Sequence, residues 1–92
     1  MKITCDPVKR AATLADRKLD FLDADDVFAG KTLTVADRRR DYGEQRFQTV
    51  GHLRGLMVMV VWTPRSDAHH VMSMRRCNAR ERKIYSQRLA QS

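Results

Sequence analysis

A chain of 92 residues with 42% hydrophobic and 32% charged content fits one domain with a modest core, and it excludes both a disordered chain and a membrane protein. Its formal net charge of +7 is unevenly placed: residues 1–45 balance nine Lys/Arg against nine Asp/Glu, whereas residues 46–92 set nine against Asp67 and Glu81 alone. Such a field draws phosphate backbones or acidic proteins, and the longest apolar run, Leu56 to Trp62, is far short of the about 18–20 residues that cross a bilayer.

In chain order, Lys2 to Cys5 reads as a short strand. Asp6-Pro7 then opens a helix with a side-chain acceptor at the N-cap and a proline where no amide bond is lost. Val8, Ala11, Ala12, Leu14 and Ala15 supply its apolar stripe to about Arg17. Asp20 caps a second helix reinforced by Asp23, with Phe21, Ala24, Val27 and Phe28 on one buried face. Gly30 ends it, where a left-handed residue is wanted.

From Lys31 the period changes to two. Thr32 to Val35 is a strand, Arg38 to Gly43 a polar turn, and Arg46 to Leu53 a strand with Phe47 inward. Arg54-Gly55 leads into Leu56–Thr63, which is apolar on both faces and so central. Pro64 to Asp67 turns the chain into the strand His69–Arg75, and Asn78 caps a final helix with Glu81 as its capping-box partner. The order β-α-α-β-β-β-β-α predicts an α+β fold: two N-terminal helices, an antiparallel sheet of about four strands plus the short N-terminal one, and a C-terminal helix.

Several residues carry possible chemistry. On the final helix Glu81 falls in the arc of Cys77, Ile84, Tyr85 and Leu89, with Arg80, Lys83 and Gln87 opposite. A carboxylate turned toward a sheet needs a cationic partner, and Arg75 at the strand end is the expected one. Parity along the strand groups His69, Val71, Ser73 and Arg75 against His70, Met72, Met74 and Arg76. The methionines mark the second set as the core face, which places His69 on the open face with Arg75. Arg65, Arg75 and Arg76 lie where a phosphodiester can be gripped, whereas Arg38–Arg40, between Asp37 and Asp41, reads as a solvated turn. Cys5, His52 and Cys77 lack metal-ligand spacing, and no phosphate loop, nucleophile triad or carboxylate cluster is present. The chemistry consistent with this is metal-free RNA cleavage through the 2′-hydroxyl. Two cysteines are too few for a disulfide framework, and the opening Met1 to Pro7 has no apolar leader, so a reduced cytoplasm is the expected setting.

The ordered set Asp6-Pro7-x-Lys9, Leu19-Asp20-Phe21, Val27-Phe28, Glu44-x-Arg46-Phe47-x-x-Val50-Gly51, Val60-Val61-Trp62-Thr63-Pro64-Arg65, Val71-Met72-Ser73-Met74-Arg75 and Asn78-x-x-Glu81-x-x-x-Tyr85 resembles the BrnT family, ribonuclease toxins of bacterial type II toxin–antitoxin systems. Each piece is weak alone, and together they run from about residue 2 to 85. The resemblance implies a RelE-like fold, translation arrest by RNA cleavage without a cofactor, and a BrnA-like antitoxin whose dimer joins two toxins and binds operator DNA. With position 70 taken from the resemblance, the expected catalytic residues are Arg65, His70, Arg75, Glu81 and Tyr85, and the expected RNA-binding residues are Arg46, Arg76, Arg80 and Lys83. The chain departs from the family pattern at Thr13, Lys18, Leu56 and His70, where the family usually has an arginine at the last. The resemblance favours His70 where parity favours His69, a conflict that a β-bulge would remove. The competing class is a non-catalytic basic module that docks an acidic partner or RNA.

Overall fold

The computed structural model describes residues 2–91, which form β1 (Lys2–Cys5), α1 (Pro7–Arg17), a 3₁₀ turn (Phe21–Asp23), α2 (Ala24–Ala29), β2 (Leu33–Ala36), β3 (Phe47–Leu53), β4 (Leu56–Arg65), β5 (Ala68–Arg76) and α3 (Ala79–Gln91). Helix α1 starts as expected, with the Asp6 carboxylate accepting from the Val8 amide at 2.9 Å and Pro7 in the first turn. It ends on Lys18, a left-handed residue at φ 59°, whose amide donates to the Leu14 carbonyl.

The second helix is a 3₁₀ turn followed by a short α-helix rather than one continuous element. Asp20 accepts from the Leu22 amide at 3.0 Å and takes Arg10 of α1 bidentately at 2.7 and 2.9 Å. One carboxylate thus caps the turn and ties α1 to it. Gly30 closes α2 at φ −95°, extended rather than left-handed.

The five strands run in the order β1-β5-β4-β3-β2. β1 pairs with β5 in parallel and the other pairs are antiparallel, so the sheet is mixed rather than antiparallel with an appended strand. β4 runs through Pro64 to Arg65, beyond the expected end at Thr63. β3 stops opposite Trp62, so Pro64 leaves no donor missing on that side.

Strand alternation sends Val58, Val60, Trp62, Val71 and Met74 to one face, where they pack with Leu19, Phe21, Ala24, Val27 and Leu53. Gly51 lies on this face, and a Cβ there would sit 2.8 Å from Val27 Cγ1; the bare backbone lets α2 close down. Thr49, fully buried beside Val60, accepts the Trp62 indole N–H at 2.8 Å and shares a hydrogen bond with Thr34. On the other face Val50, Met57 and Met59 pack with Cys77 and Leu89 beneath α3. Helix α1 departs from its expected role, because it buries none of its residues and Val8 remains 75% exposed. It is held at the sheet edge by polar contacts, through Arg10 and through Arg17, which donates to the Met74 carbonyl at 2.9 Å.

Candidate functional site

The capping box of α3 fixes the first group. Asn78 Oδ1 accepts from the Glu81 amide and the Asn78 amide donates to Glu81 Oε1, both at 2.9 Å. Held this way, Glu81 receives Arg75 in a fork, Nη1 to Oε1 and Nη2 to Oε2 at 2.8 Å each. The Arg75 guanidinium first, and the Asn78 amide second, hold the Glu81 carboxyl down at about 2 against the opposing effect of burial. The expected pair forms, and Arg75 keeps a partly exposed outer edge.

A bulge decides which histidine joins this face. Val61 pairs with Ser73 but Trp62 pairs with Val71, so Met72 is an extra residue and strict alternation fails. His70, Ser73 and Arg75 therefore share the α3 face, with His70 opposite Thr63 and Arg75 Nη2 reaching the Met59 sulfur at 3.4 Å. The expectation that His69 occupies the open face with Arg75 is overturned for this reason. His69 turns to the main core, stacked on Trp62 at 4.0 Å and beside Phe28 at 4.9 Å, its Nδ1 buried without a partner.

His70 is positioned by β1. The parallel register sets Thr4 against it, and Thr4 Oγ1 lies 2.8 Å from His70 Nδ1. Burial first, then the Arg65 cation, pushes the His70 imidazole below its usual 6.5, with Glu44 opposing. Glu44 in turn joins two arginines, Arg46 at 3.5 Å and Arg65 at 3.6 Å. Arg46 lies across the Tyr42 ring at 4.0 Å.

The sheet face consequently has two charged ends. Arg65, His70, Glu44 and Arg46 form one; Arg75 and Glu81 form the other, about 15 Å away along β5. Half-buried Gln48, Val61 and Ser73 lie between them. Of the expected catalytic set, Tyr85 joins neither end and packs against the apolar cluster under α3. Arg76 pairs with Val58 and so projects toward the opposite face, while Arg80 and Lys83 lie exposed on α3.

The arginines of the Arg38–Arg40 segment are exposed, as expected for a solvated turn, but the segment is anchored on a buried carboxylate. The Asp37 side chain is fully buried and takes Arg39 through Nε at 2.9 Å and Nη2 at 2.8 Å, with the Tyr42 hydroxyl donating at 3.3 Å. The Arg39 hydrogen bonds, against the pull of burial, hold this carboxyl down at about 2. Sequence reasoning missed Asp37, Thr4, Glu44 and Tyr42. A buried carboxylate beside three arginines has no periodic signature, and the role of Thr4 depends on a strand pairing across most of the chain.

Among the described residues no group of three or more His, Cys, Asp or Glu side chains could hold a metal ion, and no helix is long and apolar enough to cross a membrane. A protein-family model described as "Ribonuclease toxin, BrnT, of type II toxin-antitoxin system" matches residues 6–81. No curated protein matches the chain.

Proposed function

The chain belongs to the BrnT family of ribonuclease toxins from type II toxin–antitoxin systems, and from that premise we propose that it cleaves RNA without a metal ion, using the 2′-hydroxyl as nucleophile, and so arrests translation. The observation that carries this reading is the placing of His70, tethered by Thr4 and set beside Arg65, on a sheet face that also bears Arg75, with burial and the Arg65 cation pushing the imidazole below its usual pKa.

In this mechanism His70 accepts the proton of the 2′-hydroxyl, and the oxygen attacks the adjacent phosphorus. The bond from phosphorus to the 5′ oxygen breaks, and that oxygen takes a proton from water. The products are a 2′,3′-cyclic phosphate and a 5′-hydroxyl end. Arg65 neutralises charge growing on the phosphoryl oxygens, and Thr4 fixes the imidazole so that Nε2 faces the substrate. Arg75, braced by Glu81, grips a second phosphate along the strand. Arg46 adds backbone contacts beside Arg65; Arg76, Arg80 and Lys83 contribute long-range attraction rather than direct grip.

The sheet with one helix packed on the site face is read as RelE-like. The partner is a BrnA-like antitoxin whose dimer carries two toxins and contacts operator DNA in their place. The separation of the two charged ends favours one other reading, a basic module that binds RNA without cutting it.

The assay that separates the two uses purified protein and single-stranded RNA in EDTA. Cleavage leaving a cyclic phosphate is expected, with the rate falling as pH drops through the lowered His70 pKa and with His70→Gln slower by about 10²–10⁴-fold. Binding without cleavage, or cleavage that EDTA abolishes and magnesium restores, would overturn the mechanism.

A further inference from the structure

The segment between β2 and β3 encloses a cleft of about 320 Å³, within the range of small-ligand sites, roughly 300–1,000 Å³. Its base is firmly held. The Asp37 amide donates to the Arg46 carbonyl at 2.8 Å, closing the loop, and Thr63 Oγ1 donates to the Gln45 carbonyl at 2.6 Å, tying it to β4. With Arg39 clasped to buried Asp37, its neighbours Arg38 and Arg40 line the cleft exposed, with no acidic partner among the described residues.

Two features of the wall point to a ligand. Arg46 is under-supplied with acceptors: its Nε is buried without a partner, and its nearest carboxylate oxygen, on Glu44, is 3.5 Å away. The Tyr42 ring lies against Arg46 at 4.0 Å and Arg40 at 5.0 Å, giving planar surfaces beside cationic edges. Such planes stack nucleobases and such edges bind phosphate. An acidic peptide would satisfy the guanidinium groups but would bring no planar group to stack against the layer that Tyr42 forms with Arg40 and Arg46.

The geometry points to this cleft as the seat of one RNA nucleotide, its phosphate against Arg40 and Arg46 and its base against the Tyr42 ring. The assignment rests on the ribonuclease reading for its place in the reaction, because Glu44 lines the cleft and also reaches Arg65 at 3.6 Å, beside His70. The nucleotide held here flanks the reacting phosphate, so the cleft sets base preference at the cleavage position.

The test titrates the full chain with each nucleoside 3′-monophosphate, with inorganic phosphate and with a short poly-Asp/Glu peptide, following amide shifts by NMR, and maps cleavage positions on one RNA. Nucleotide should perturb Tyr42 and Arg46 and bind at least tenfold more tightly than phosphate alone. Arg40→Gln, an exposed change that leaves the loop ties intact, and Tyr42→Leu should each weaken binding at least tenfold, while Tyr42→Phe retains it. Tyr42→Leu should also flatten base preference at the cut. Equal binding of nucleotide and phosphate, preference for the acidic peptide, or unchanged binding in both Arg40→Gln and Tyr42→Leu overturns the assignment. Cleavage without nucleotide binding removes the cleft and leaves the ribonuclease reading standing. Nucleotide binding at these residues without cleavage supports the cleft as a nucleotide seat and removes the ribonuclease reading.

Discussion

Glu81 is held by its own helix terminus and by a strand end at once, so the Arg75–Glu81 pair links folding to the site. Arg75→Ala strands a carboxylate that is only 20% exposed, and a loss of about 1–3 kcal/mol in urea denaturation is expected. The same change should slow RNA cleavage by roughly 10²–10³-fold if the guanidinium also meets phosphate. Glu81→Gln keeps much of the shape and should do less on both counts, and Lys31→Ala, on an exposed loop, should do neither. A folded Arg75→Ala protein that cleaves at the parental rate would move the site elsewhere. The Glu81 carboxyl is depressed from 4.5 to about 2, so the stability it contributes is fully present above 4.5 and is lost as pH falls toward 2. Melting curves of parent and Glu81→Gln should therefore differ at pH 7 and converge near pH 2. This pair was legible in the sequence because helical spacing alone put Glu81 on the inward arc and capping chemistry named Asn78. Parity missed the histidine that the family resemblance favoured, because one inserted residue, Met72, reverses the parity of everything before it, and an apolar methionine in a strand carries no mark of being extra.

At the level of elements, periodicity identified each strand and helix but not always what covers it. The β3 and β4 patterns led directly to the two-faced central sheet. The α1 stripe misled, since an apolar face at helical spacing states a preference for burial and says nothing about a neighbour. The chain answers that preference only weakly, and Val8→Ser should change stability by less than about 0.5 kcal/mol in the isolated protein. Gly51 makes the opposite case. Its absent side chain decides how closely α2 approaches β3, and Gly51→Ala places a methyl against Val27 Cγ1 and Thr32 Cγ2. Thermal denaturation should register a loss of about 1–3 kcal/mol, the usual effect of overpacking. Measured stability equal to the parent would show that α2 gives way easily.

For the whole molecule, the charge imbalance has a kinetic reading. The whole excess of +7 resides in residues 46–92, which build most of the sheet and all of α3. An acidic antitoxin segment would be steered toward that half, and stopped-flow association should slow as salt rises through the range where screening shortens to about 10 Å and below. Rates that stay flat with ionic strength would mean that contact geometry, rather than long-range attraction, governs capture. The strand order was the least legible part of the architecture. A four-residue strand at the start of the chain gives no hint that its partner is β5, because that pairing is chosen by packing across the sheet and not by local sequence.

The same pairing has a consequence in time. Thr4 and His70 are 66 positions apart, and the hydrogen bond between them joins the first strand made to the last. A ribosome adding about 5–20 residues per second spends several seconds between the two, and contacts of such long reach close slowly. The histidine end of the site therefore cannot assemble on a half-made chain. On the proposed ribonuclease reading, cleavage would wait until the chain is nearly complete, and an antitoxin already present nearby would have the whole of that interval in which to be waiting.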